Sequence, residues 1–127
     1  MVVILRNSVN SVKVTASEFS RLSLPFFLLE FDRDFAGEQS RKYYYTGQDI
    51  SPTPSQLNIF EIEESDEGGD FANGFENESI KLPSGSYTLN IYEAEEIPES
   101  ISDTTGEIIA RYMVRVEATN EINNIYK

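Results

Sequence analysis

The side chains able to do chemistry in this chain are almost all carboxylates and phenols. It holds 22 Asp and Glu and 7 Tyr against 10 Lys and Arg, and it has no His, Cys or Trp. A thiol nucleophile, a disulfide, a Cys/His zinc site and a serine–histidine dyad are therefore all excluded. A glycosidase needs only two carboxylates, but among so many acids a pair such as Glu93 and Glu95 arises by chance. No catalytic residue, cofactor site or metal site is nominated, and the expectation is a non-enzymatic protein. The acidic run Glu63-Glu64-Ser65-Asp66-Glu67-Gly68-Gly69-Asp70 invites calcium. Its spacing fails, because the third loop position is Gly68 counted from Asp66 and Ala72 counted from Asp70, where an EF-hand needs an acid.

Two features remain as candidate contact residues. Tyr43-Tyr44-Tyr45 on a strand would set two phenols on one face and one on the other. Exposed, they suit protein contact or sugar stacking, since tyrosine offers area at low entropic cost. In the other reading Tyr43 and Tyr45 plug the core and Tyr44 stays outside. The tail 118–127 carries Ile122, Ile125 and Tyr126 on a polar background, and reads either as a frayed end or as an arm that orders on a neighbour.

Charge narrows the partners. A net charge of −12 disfavours nucleic-acid backbones and anionic membrane surfaces. Residues 1–55 balance six bases (Arg6, Lys13, Arg21, Arg33, Arg41, Lys42) with six acids, so the whole excess lies in 56–127. The longest apolar run, Leu24–Leu29, is far short of the roughly 20 residues of a membrane helix. The N-terminus lacks the basic start and apolar length of a secretion signal, which sets the expectation of synthesis in a cytoplasm.

The elements that must carry these residues read as strands. Ile108, Ala110, Tyr112, Val114 and Val116 alternate with a wetter set, and Tyr87, Leu89 and Ile91 form a second stripe. Phe27, Leu29 and Phe31 form a third, with Phe26 and Leu28 apolar on the reverse, which predicts a central strand covered on both faces. Phe60 and Ile62 mark a half-buried fourth. Weaker strands are expected at Val2–Arg6, Val12–Thr15, Arg41–Thr46 and Ser79–Leu82, the last joined to Ser86–Glu93 by a tight Pro83-Ser84-Gly85 turn. Ser51–Ser55 reads as an extended connector, and Thr15-x-x-Glu18 as a capping box for at most one helical turn. Residues 64–78, centred on Asp66–Asn77, read as a long, mobile acidic loop, and Glu93–Gly106 as a second loop broken by Pro98. The expectation is one domain over residues 1–127, an all-β antiparallel sandwich of seven or eight short strands.

The order of these segments resembles a group of small structural proteins encoded beside the capsid and tail genes of tailed phages of Bacteroidota, crass-like phages included. The resemblance lies in Leu29-Glu30-Phe31-Asp32 with the turn at Gly37, and in Leu57-Asn58-Ile59-Phe60-Glu61-Ile62. Its most specific part is Leu82-Pro83-Ser84-Gly85-Ser86-Tyr87, ending in Tyr92-Glu93. It closes with Glu107-Ile108-Ile109-Ala110-Arg111, where Ala110 replaces the glycine of the pattern. The resemblance spans residues 24–116 and implies a virion component with an immunoglobulin-like domain, assembled in the bacterial host cytoplasm. The implied role is an auxiliary or decoration protein on the capsid exterior, with the major capsid protein, other virion proteins and further copies of itself on the particle as expected partners. A carbohydrate-binding sandwich is the alternative, and a head–tail connector or tail component the third.

Overall fold

The structure is a computed structural model, and it describes residues 2–15, 26–34, 41–47 and 58–118. The alternating stripes fold as the antiparallel centre of a sheet. Strand β7 (Gly85–Ala94) runs against β8 (Ile108–Glu117), with Tyr87 opposite Val114 and Leu89 opposite Tyr112. On its other side β7 pairs with β3 (Phe26–Arg33), which sets Phe31 against Leu89 and Leu29 against Ile91. Strand β4 (Lys42–Gly47) continues the sheet beyond β3, the short β6 (Phe71–Asn73) closes that end, and β1 (Val2–Leu5) closes the other beside β8. The order is β1-β8-β7-β3-β4-β6. A second, two-stranded sheet pairs β2 (Val9–Val14) with β5 (Asn58–Gly69).

Strand parity decides the core. The inner face of the large sheet supplies Ile4, Val114, Val116, Tyr87, Leu89, Ile91, Phe27, Leu29 and Phe31, and the small sheet answers with Val12, Val14, Phe60 and Ile62. Phe27 meets Phe60 edge-on across the gap, with ring centroids 5.6 Å apart. Two phenols tie the layers by hydrogen bonds: Tyr45 donates to the Glu61 carbonyl at 2.7 Å, and Tyr112 both donates to and accepts from the Thr15 backbone. The molecule is thus an all-β, sandwich-like fold. β3 is central and buried on both faces from Phe27 to Phe31, as its doubled apolar pattern predicts.

Three expectations need correction. First, the sheet is mixed, because β1–β8 and β4–β6 are parallel pairs. The chain reaches β6 from β5 in the other layer, and such a crossover permits a parallel approach where a tight hairpin would not. Second, Ser79–Leu82 is not a strand, and Pro83-Ser84-Gly85 joins no hairpin. Both edges of β7 are already taken by β3 and β8, so this segment makes only single bridges through Ile80 to Glu64 and Gly69. Ile80 and Leu82 still reach the core.

Third, the acidic stretch 64–78 is largely strand. β5 runs on to Gly69, β6 follows, and a 3-10 turn covers Gly74–Glu76. Its backbone is used as well: Tyr44 donates to the Asp70 carbonyl and Lys81 to that of Gly69. Gly68 is required there, since a Cβ would lie 2.6 Å from the Ile80 carbonyl carbon. The loop expected after β7 is present and is pinned to the sheet. Pro98 is buried, its carbonyl accepts from Thr46 Oγ1 at 3.0 Å, and a 3-10 turn forms at Ile101–Asp103. The capping box beyond Thr15, the Ser51–Ser55 connector and the tail from 119 lie outside the described residues.

Candidate interaction face

Register brings one line of side chains together on the outer face of the large sheet. Arg111 on β8 stands opposite Asn90 on β7, Asn90 opposite Glu30 on β3, Glu30 opposite Tyr44 on β4, and Tyr44 opposite Phe71 on β6. Residues directly opposite across strands are close enough to bond, and here they do. The Arg111 Nε–H donates to Asn90 Oδ1 at 2.9 Å, Asn90 Nδ2–H donates to Glu30 Oε1 at 3.0 Å, and the Tyr44 hydroxyl donates to Glu30 Oε2 at 3.2 Å. Lys42 Nζ lies 3.9 Å from the same Glu30 oxygen. Glu30 and Asn90 are buried in this row, while Arg111, Lys42 and part of Tyr44 reach solvent.

Burial, with the Glu30 carboxylate beside it, pushes the Tyr44 phenol up to about 12. Burial raises Tyr92, on the same face, in the same direction. Beyond Tyr44 the face turns aromatic. Phe71 packs against the Tyr44 ring at 6.4 Å between centroids, and Phe26 against Phe75 at 5.8 Å, all four rings half-buried.

Of the three tyrosines named as contact residues, Tyr43 and Tyr45 point the other way. They are core residues, with Tyr43 edge-on to Tyr87 at 6.1 Å and Tyr45 bonded across to β5. The expected contact role of Tyr43 and Tyr45 is thereby corrected, because strand parity sends them inward and of the three only Tyr44 reaches the outer face. Tyr43 and Tyr45 therefore offer no exposed ring pair for sugar stacking. Ile122, Ile125 and Tyr126 lie outside the described residues. No group of three Asp or Glu side chains gathers to hold a cation among the described residues.

A second buried carboxylate sits on β5, in the other layer of the sandwich. Glu64 Oε1 accepts from the Asn7 backbone N–H and Oε2 from that of Leu82, each at 2.8 Å, and Arg6 Nε stands 3.8 Å away. Arg6 also pairs with Asp66. The β1–β2 turn it clamps is already shaped by Asn7 at φ 56° and by Asn10, whose amide bonds both the N–H and the carbonyl of Leu5. Sequence reasoning missed both Glu30 and Glu64. The available signal for Glu64 was the inward phase of Asn58, Phe60 and Ile62, which it continues. Compared with protein-family models, with curated proteins and with solved structures, the chain finds no significant match.

Proposed function

We propose that this chain is a non-enzymatic structural protein of a tailed-phage particle, an auxiliary or decoration protein. It binds the outside of the capsid and bridges neighbouring major capsid subunits, and it assembles with them in the host cytoplasm. The phage assignment rests on the resemblance of the segments between residues 24 and 116. The docking surface is the outer face of the large sheet at its β4–β6 end. One observation carries that choice: the half-buried Tyr44–Phe71 pair beside Lys42. Interfaces are enriched in aromatics held rigidly beside polar groups, and Tyr44 is held by Glu30. The net charge of −12 opposes non-specific clumping of copies before assembly.

The test is to count this chain against the major capsid protein by quantitative mass spectrometry of purified particles. Hundreds of copies per particle are expected of a decoration protein. About a dozen would move it to a connector or tail ring, since such rings close with few subunits. Its absence from particles would overturn the proposal.

A further inference from the structure

We propose that the outer face of β8 docks the acidic lobe 95–107 of a second copy of this chain, head to tail. β8 presents Arg111, Met113 and Arg115 at alternate positions, all exposed, and Met113 is 63% exposed. Val3 of β1 stands opposite Arg115 in the parallel register and is itself 48% exposed. Two guanidinium groups thus flank an apolar ridge in a chain of net charge −12.

The same chain carries a matching surface. Residues 95–107 hold Glu95, Glu96, Glu99, Asp103 and Glu107 and no base. Glu95, Glu96, Glu99 and Asp103 line a recess of about 620 Å³ in which Ile97 is 41% exposed. The lobe is preformed: Thr46 holds Pro98, and the Thr105 N–H donates to the Glu93 carbonyl at 2.9 Å. Methionine is unbranched and adaptable enough to fill such a recess, and arginine suits carboxylate partners at an interface.

Strip and lobe share no residue, so the contact is heterologous. Each copy can give one and receive the other, and association propagates into a ring or a filament instead of stopping at a dimer. At about 0.15 M salt the Debye length is about 8 Å, so the repulsion between like-charged copies is screened while contact pairs persist.

The experiment is sedimentation equilibrium of the full chain at that ionic strength, up to about 1 mM to capture weak association. The expected result is an average mass that climbs past the dimer with concentration. Arg111→Glu with Arg115→Glu, or Glu95→Lys with Glu96→Lys, should each weaken association about tenfold or more. Mixing the two variants in equal amounts should restore pairing, since the unchanged lobe of one then meets the unchanged strip of the other. All four sites are exposed, and circular dichroism checks that both variants remain folded. A monomer at every concentration, a closed dimer, or a mixture that fails to associate would each overturn the proposal.

Discussion

Glu30 and Glu64 are both 1% exposed, yet they are held in different ways. Glu64 is gripped by backbone: the N–H groups of Asn7 and Leu82 come from two separate turns, and Arg6 closes the third side. Glu30 is held by side chains alone, from Asn90, Tyr44 and Lys42, in a row that ends at the exposed Arg111. The first arrangement fastens the fold, since releasing the carboxylate would orphan the buried Leu82 donor and free the β1–β2 turn at Asn7. The second fastens a surface. It fixes the rotamers of Tyr44 and Lys42, the groups that face outward. The Glu64 clamp therefore ties segments together inside the fold, and the Glu30 row orders side chains on its outer sheet face.

The largest expected effect comes from breaking the backbone-held carboxylate. Glu64→Ala removes the acceptor of two N–H groups and the partner of Arg6, and should cost about 3–5 kcal/mol, read from urea unfolding. Glu30→Gln should cost less, about 1–2 kcal/mol, because an amide still accepts from Asn90 or Tyr44. Equal losses at the two sites would erase the distinction drawn between them.

Alkaline pH probes the side-chain row separately. Tyr44 and Tyr87 ionise at about 12 in the fold, against about 10 in an unfolded chain. A raised phenol favours the protonated fold, so its contribution is complete below pH 10 and is lost as pH climbs towards 12. Stability should thus fall through that window, and part of the phenolate absorbance should appear late, since Tyr45 and Tyr92 are raised as well. Tyr44→Phe should remove one late-titrating phenol, while costing about 0.5–1.5 kcal/mol at neutral pH through its lost hydrogen bond.

The fold was legible where one face of a strand is wet. β7 and β8 alternate so strictly that their inner residues can be read directly from the sequence, and the double apolar phase of β3 marks it as central. Ser79–Leu82 misled because Ile80 and Leu82 alternate like a strand although no sheet edge is left for them. The stretch after Glu63 misled in the opposite sense, because acids and glycines read as loop while Gly68 is needed for the close approach of Ile80. The row through Glu30 was not legible at all. Its partners lie 60 residues away at Asn90 and 14 away at Tyr44, and only the register of two strand pairs lines them up.

Cross-linking within intact particles tests the presented face most directly, because Lys42 lies beside Glu30 on the large sheet and Lys13 is exposed on β2 in the other layer. An amine-reactive reagent followed by mass spectrometry should join Lys42 to the major capsid protein and leave Lys13 without capsid links. Links to the capsid from Lys13 and none from Lys42 would contradict the assignment of the docking face.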